Sequence, residues 1–220
     1  MALAGKILVA ISGIAWSVAY IAMIRIGVKD KTYGMPFVAL ALNIAWELLY
    51  AVLGLKYGPG HILTWVNWVW FFFDLAIVYT YFKYGRADFE KHADGKAFIP
   101  WAMLVFVMAG ALQIGFLIEF SPSPALPSVR SLTNPFLGAW YSAFLQNLVM
   151  SILFIQMLLT RRGPRGQSLT IAVSKWIGTL APTVLFGILL ESRLVLIVGS
   201  LCTVFDLIYI GLLAQTRRRR

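Results

Sequence analysis

The sequence predicts an all-α, polytopic membrane protein in which seven transmembrane helices form a bundle. Of its 220 residues, 60% are hydrophobic and only 13% are charged, whereas soluble domains average about 45–50% and about 25%. Seven apolar runs each approach or exceed the roughly 20 residues that a membrane-spanning helix needs. Most basic residues also fall on one of the two sides that seven spans define. Within a single domain of residues 1–220, we place the spans at 7–27, 35–55, 62–82, 98–120, 136–160, 168–191 and 193–213.

The first span contains the apolar run Ile7–Ile24, which is longer than the roughly 7–15 residues of a signal-peptide core. Arg25, Lys29 and Lys31 follow the run, where a signal peptide would carry its cleavage site. This pattern indicates a retained helix.

The second and third spans each carry an acidic residue among apolar and aromatic neighbours. In the second span, ALNIAWELLY places Asn43 one helical turn before Glu47. In the third span, Asn67, Trp70 and Asp74 follow the same helical spacing. Because residues three or four positions apart share a helix face, both spans are predicted to turn a polar stripe toward the bundle interior.

The last four spans also carry deep polar groups. A proline in the middle of GTLAPTVLFG predicts a bend in the sixth helix. The longest breaks between spans, Lys83–Lys96 and Ser121–Pro135, are too short to hold a further domain. The amides and charged residues deep in these four spans are Gln113, Gln146, Asn147, Lys175 and Asp206.

The basic residues predict the orientation of the chain, because Lys and Arg concentrate in cytoplasmic loops. Seven spans put 14 of the 19 basic residues on one side and four on the other, with Lys175 inside a span. We therefore expect an external N-terminus and a cytoplasmic C-terminus. The predicted cytoplasmic set is Arg25, Lys29, Lys31, Lys83, Arg86, Lys91, Lys96, Arg161, Arg162, Arg165 and Arg217 to Arg220.

Three acids lie deep in the predicted spans. Glu47 falls roughly 18 Å from the cytoplasmic end of its span, and Asp74 and Asp206 roughly 10–12 Å from theirs, at about 1.5 Å per residue. An acid at such depth costs about 2.5–3.5 kcal/mol on insertion scales, so each should face the interior and have a partner or a function. Lys175 has two interpretations: its side chain snorkels to the interface, or it forms an ion pair with Asp74 or Asp206.

The remaining interior side chains have a structural and a functional interpretation. The amides of Asn43, Gln113 and Asn147 either join helices at around 0.6 kcal/mol per hydrogen bond or line a pocket. Interior aromatic rings either pack or present their faces to a positively charged intermediate, at about 2 kcal/mol each where water is excluded. These aromatic residues are Trp46, Trp70, Phe73, Phe144, Trp176, Phe205 and Tyr209.

Several classes of function are disfavoured. The single cysteine, Cys202, allows neither a disulfide framework nor a cysteine-rich metal site. The basic residues are spread over loops at one membrane face instead of forming the basic patch of a nucleic-acid-binding protein. No aspartate-rich diphosphate motif, metal cluster or phosphate-binding glycine loop is present, and His61 and His92 fall in loops. We therefore expect no metal and no cofactor.

Four segments of the chain are distinctive: MPFVALALNIAWELLYAVLGL, WFFFDLAIVYTYFKYG, SAFLQNLVMSILF and FDLIYIGLL. They resemble the small seven-helix integral-membrane terpene cyclases of fungal meroterpenoid and indole-diterpene pathways, whose bacterial relatives cyclise prenylated indoles. The resemblance implies a metal-free cyclisation of a prenyl chain on an aromatic head group, begun by protonation of a terminal epoxide or alkene. It also implies that Glu47 and Asp206 are the essential acids, with Asp74 as an orienting or relay partner.

This chemistry fits the residue types. Desolvation favours the protonated form of a carboxyl group, and a hydrogen bond from Asn43 or a second acid would stabilise the carboxylate once the proton leaves. The partners expected are a hydrophobic prenylated small molecule and the lipid bilayer, with no nucleic acid. The short chain favours a bacterial plasma membrane, or the endoplasmic reticulum if the protein is fungal.

Rival functions depend on the same acids. A proton-coupled transporter also needs deep carboxyl groups, but no internal repeat is visible. A retinal-type sensor needs a lysine for a Schiff base, normally on the last helix, and Lys175 lies on the sixth. A carotenoid-ring cyclase is chemically close and stays an alternative.

Overall fold

The computed structural model describes residues 3–120 and 137–218, and this part of the chain is helical without any β-strand. Seven helices are long and apolar enough to cross a membrane, which confirms the predicted fold class. A 3-10 turn, Gly95–Ala97, leads into the fourth spanning helix. The helices are α1 Leu3–Lys29, α2 Phe37–Tyr57, α3 Ile62–Tyr84, the short α4 Arg86–Phe89, α5 Phe98–Phe120, α6 Leu137–Thr160, α7 Leu169–Pro182 and α8 Arg193–Arg218.

Local side chains mark where several helices begin. Pro36 precedes α2, where its fixed φ of −55° suits a helix start. His61 accepts a hydrogen bond from the backbone N–H of Leu63 at the start of α3. Ser168 caps α7 in the same way by accepting from the N–H of Ile171. The side chains of His61 and Ser168 each satisfy one of the N–H groups that the first helical turn leaves without a partner.

Pro182 changes the helix type in the sixth span, where the sequence predicted a bend. After Pro182 the chain continues as a π-helix over Thr183–Leu189, because proline has no N–H to donate to the preceding turn. The carbonyl that would have accepted this N–H belongs to Gly178, and it accepts a hydrogen bond of 2.8 Å from Ser12 on α1 instead. The proline thus frees a carbonyl that ties two helices together.

The seven long helices form a closed ring. Each packs against the next in the order α1, α3, α2, α5, α6, α8, α7 and back to α1, and α2 also touches α6 across the ring. Large apolar side chains such as Ile14, Phe72, Val107 and Ile197 cover the outer surface. The buried polar side chains lie on the inward faces, as the helical spacing of Asn43 and Glu47 predicted.

At one end of the ring, ion pairs and hydrogen bonds join the segments that follow α1, α3 and α6. Asp88 contacts Lys91 at 2.7 Å, Arg165 at 3.4 Å and Arg161 at 3.5 Å, and Gly166 donates its N–H to Asp30. Partial burial works against the charged form of Asp88, but the hydrogen bond from Lys91 and the surrounding cations outweigh it and lower the pKa of Asp88. These loops were expected on one side from their basic residues.

Candidate active site

The three deep acids lie inside the ring. Glu47 on α2 is 2% exposed, Asp74 on α3 is fully buried and Asp206 on α8 is 1% exposed. None of the three points toward the outer surface. Burying a carboxyl group to this extent costs free energy unless hydrogen-bond donors satisfy its oxygens. The hydrogen bonds of these three acids therefore define the site.

Glu47 and Asp74 belong to one hydrogen-bonded cluster, here called the acid cluster, which also contains Asn43 and Tyr20. Asn43 donates one side-chain N–H to Oδ2 of Asp74 at 2.8 Å and the other to the hydroxyl oxygen of Tyr20. Tyr20, on α1, donates its hydroxyl to Oε1 of Glu47 at 3.2 Å. Helices α1, α2 and α3 therefore meet through two acids and two neutral donors.

Two glutamines extend the acid cluster toward α5 and α6. Gln113 donates to the side-chain oxygen of Gln146 at 2.8 Å, and Gln146 donates to the side-chain oxygen of Asn43 at 3.3 Å. All of these donors point in one direction, from Gln113 through Gln146 and Asn43 to the two carboxyl groups. A hydrogen-bond chain aligned in this way strengthens its last donors and prepares the acids to carry negative charge.

Asp206 lies in a second group, with Lys175 and Ser151. Lys175 Nζ is 2.7 Å from Oδ1 of Asp206 and 2.6 Å from the hydroxyl of Ser151. Lys175 is 1% exposed, so its side chain does not snorkel to the interface. Of the two partners that the sequence allowed for an ion pair, the structure provides Asp206.

No hydrogen bond between described residues joins Glu47 to Asp206. That these two act together as the essential pair stays a prediction, and the structure gives Glu47 a closer connection to Asp74. Each acid has one engaged oxygen and one buried oxygen without a hydrogen-bond partner in the described part of the chain. The unpartnered oxygens are Oε2 of Glu47, Oδ1 of Asp74 and Oδ2 of Asp206.

Aromatic rings surround Tyr20 at the acid cluster. The centroids of Trp16 and Trp70 both lie 6.1 Å from that of Tyr20, and that of Phe73 lies 5.9 Å away. Trp70 also donates its indole N–H to the hydroxyl of Ser17. Predicted pocket residues Trp70 and Phe73 thus lie against Tyr20 of the acid cluster.

Other predicted pocket residues lie further from the carboxyl groups. Trp46 donates its indole N–H to the carbonyl of Ala139 on α6. Tyr209 is fully buried, but its hydroxyl donates to Gln167, just before α7. Asn147 is half-buried, and its side-chain oxygen has no hydrogen-bond partner among residues 3–120 and 137–218.

A cleft of about 240 Å³ opens at the loop end of the ring. Phe37 lies in its wall and precedes Glu47 by ten residues on α2, which corresponds to about 15 Å of helix. The cleft is therefore distinct from the acid cluster. Its other lining residues are Tyr33, Pro36, Val38, Tyr81, Gly85, Asp88, Phe89, His92, Trp101 and Leu153.

Sequence reasoning missed Tyr20 and Ser151. Tyr20 lies in a span that was judged only by its apolar run, and Ser151 is a common small residue in helices. The available signal was the tyrosine hydroxyl, because a tyrosine buried in the middle of a span needs a hydrogen-bond partner for its O–H.

Within the described residues, no three His, Cys, Asp or Glu side chains lie close enough to bind a metal ion.

The fold and the site define a polytopic membrane protein whose seven helices enclose buried acids. The family model of Pyr4-like transmembrane terpene cyclases matches residues 2–219, so the chain belongs to this family. This match confirms the resemblance found in the sequence.

Individual relatives show the same similarity. The chain is 31% identical to a Pyr4-family terpene cyclase of Annulohypoxylon moriforme, with 81% of this chain and 68% of that protein aligned. It is 27% identical to a terpene cyclase of Aspergillus fumigatus, with 94% and 84% aligned. It is 28% identical to the asnovolin H synthase of Aspergillus novofumigatus, with 76% and 63% aligned. No solved structure matches the chain.

Proposed function

We propose that the protein cyclises a prenyl chain attached to an aromatic, indole or other head group, in a metal-independent reaction begun by protonation. The prenyl chain is farnesyl or geranylgeranyl and ends in an alkene or an epoxide. Membership of the terpene cyclase family supports this proposal. The single observation that carries the mechanism is the acid cluster, in which two buried carboxyl groups each keep an unpartnered oxygen.

In the first step, Glu47 gives its proton to the terminal epoxide oxygen or alkene carbon of the substrate. The Oε2–H bond breaks, a new O–H or C–H bond forms as the epoxide C–O bond or the alkene π bond opens to leave a cationic carbon, and Glu47 becomes a carboxylate. The hydroxyl of Tyr20 then stabilises the negative charge through Oε1. We assign this role to Glu47 instead of Asp206, because a carboxylate already paired with Lys175 has no proton to give.

Ring closure follows as alkene electrons attack the cationic centre. Trp70 and Phe73 lie on the Tyr20 side of the cluster, where their ring faces stabilise positive charge by about 2 kcal/mol each when water is excluded. The ring of helices excludes water, so hydrolysis does not compete with closure.

In the last step, Asp206 accepts the proton that the final carbocation releases. Its Oδ2 has no hydrogen-bond partner in the described part of the chain, while Lys175 and Oδ1 remain paired. The product is an isomer of the substrate, because one proton is gained and one is lost. A proton must return to Glu47 before the next cycle.

The membrane location suits a hydrophobic substrate that enters sideways from the bilayer.

We further propose that residues 1–220 form one transmembrane domain with an external N-terminus and a cytoplasmic C-terminus. The fungal relatives favour an internal eukaryotic membrane over the bacterial plasma membrane that the short chain suggested.

The proposal is tested by expressing the protein in a host supplied with farnesyl and geranylgeranyl aromatics, each with and without a terminal epoxide. We expect a product of unchanged mass whose spectrum shows new rings. Uptake of a substrate without conversion would contradict cyclisation and favour the proton-coupled transporter.

A further inference from the structure

We propose that Tyr20 is a positioning residue that sets the acidity of Glu47. This inference rests on the proposed role of Glu47 as proton donor and adds a residue to it. Tyr20 is 1% exposed and provides the one side-chain hydrogen bond that Glu47 receives from the described residues. The second oxygen, Oε2, is left for the substrate.

The bonding pattern fixes the direction in which Tyr20 donates. Its hydroxyl oxygen already accepts an N–H from Asn43, so its own O–H is directed to Oε1 of Glu47. Asn43 is held in turn by Gln146, which donates to the amide oxygen. A donor that itself accepts a hydrogen bond becomes stronger.

The ring of Tyr20 is held as firmly as its hydroxyl. Trp16 and Trp70 each lie about 6 Å from it and Phe73 lies at 5.9 Å, on α1 and α3. The hydroxyl is therefore in place before the reaction begins, and it costs no reorganisation when Glu47 becomes negative. Tyr20 keeps its own proton throughout and acts only through Glu47.

This arrangement predicts a specific kinetic effect. A hydrogen bond to a charged group contributes about 1.5–3 kcal/mol, so Tyr20→Phe should lower kcat about 10- to 100-fold. KM should change little, because the hydroxyl is matched to the charged state of Glu47 and not to the bound substrate. Alkene substrates should lose more activity than epoxides, since they demand a stronger acid.

A series of ring-fluorinated tyrosines at position 20 separates this role from a structural one. Fluorine makes the hydroxyl a stronger donor and barely changes the shape of the ring. We expect kcat to rise as the donor becomes stronger. Tyr50 is the matched control, because it is buried on α2 and its hydroxyl makes no hydrogen bond to Glu47, Asp74 or Asp206 in the described part of the chain. The same substitutions there should leave kcat unchanged.

An infrared measurement on the purified protein tests the contact without any substrate. The carbonyl stretching band that disappears in Glu47→Gln identifies protonated Glu47. We expect Tyr20→Phe to move this band to higher frequency, as loss of a hydrogen bond requires, and Tyr50→Phe to leave it in place.

The two measurements distinguish the possible failures. If Tyr20→Phe shifts the band but the wild-type protein cyclises nothing, the contact is supported and the proposed function is overturned. Active protein whose kcat is unaffected by fluorination, or whose band does not move, would overturn the role of Tyr20.

Discussion

Lys175 Nζ lies 2.7 Å from Oδ1 of Asp206, and both side chains are 1% exposed. A cation and an anion thus face each other in the interior of a membrane bundle, on α7 and α8. Removing two charges from water costs several kcal/mol per ion, and their attraction offsets this cost only in close geometry. The ion pair is therefore better explained as a means of keeping Asp206 charged than as a contribution to the stability of the fold.

Lys175→Met tests the dependence of Asp206 on its partner. The variant leaves a buried carboxylate uncompensated, so we expect a loss of about 3–5 kcal/mol in stability. Thermal unfolding in detergent measures it, with Lys96→Met, at an exposed position, as the control. The double variant Lys175→Met, Asp206→Asn should recover part of the stability but no cyclisation. A single variant as stable as the wild type would contradict this account of the pair.

Asn43→Leu tests the acid cluster as a unit. The change removes the donor to Asp74, the partner of Tyr20 and the acceptor of Gln146. Each buried polar group left without a partner costs about 1–3 kcal/mol, so we expect lower thermal stability and loss of product. Gln156→Leu is a matched change at an exposed site on α6 and should behave as the wild type. An active Asn43→Leu enzyme would show that the acids work independently of this amide.

Gly178→Ala tests the contact between α1 and α7. A Cβ atom at residue 178 would lie 2.7 Å from Cδ1 of Trp16, so the Trp16 ring or the two helices must shift. Such overpacking costs about 1–3 kcal/mol, which should appear as a lower unfolding temperature. Gly13→Ala, on α1, meets no atom within 4 Å and should not lower it. Equal stability of the two variants would argue against this close approach.

Asp88→Asn tests the ion pairs at the loop end through their pH dependence. The pKa of Asp88 is lowered in the folded protein, so the carboxylate stabilises the fold above its unfolded pKa of about 3.9. This stabilisation disappears as the pH falls through the folded pKa. Since Asp88 is partly exposed, we expect a loss of about 1 kcal/mol at pH 7, or roughly 2–4 °C.

The difference between Asp88→Asn and the wild type should shrink on acidification. Glu90→Gln removes an exposed ion pair with Arg86 and should have a smaller effect at every pH. A difference that stays constant down to pH 3 would show that the charge of Asp88 is not responsible.

The sequence predicted the seven helices because membrane spans depend on length and hydropathy alone. The predicted span 98–120 coincides with α5, whereas α1 begins at Leu3 and α8 continues to Arg218, beyond the predicted spans 7–27 and 193–213. The order of helices around the ring was not predictable, because it depends on contacts between distant side chains. The match of Gly178 to Trp16 is one such contact, and neither residue is unusual in isolation.

The residue types of the site were predictable from the sequence, but the hydrogen-bond partner of each side chain was not. Helical spacing placed Asn43 and Glu47 on one interior face, and a direct hydrogen bond between them was a natural expectation. The structure inserts Tyr20 from α1 between them, so Asn43 reaches Glu47 through the tyrosine hydroxyl. A residue on another helix cannot be assigned from local spacing, which is also why the partner of Lys175 stayed open between two acids.

The central claim is that buried Glu47 begins the reaction and Asp206 ends it. The most direct measurement is product formation by Glu47→Gln and Asp206→Asn at matched amounts of folded protein. Glu119→Gln and Asp94→Asn are the controls, since both residues are exposed. The account predicts cyclised product from the wild type and both controls and none from the two buried variants. Full activity in either buried variant would contradict it.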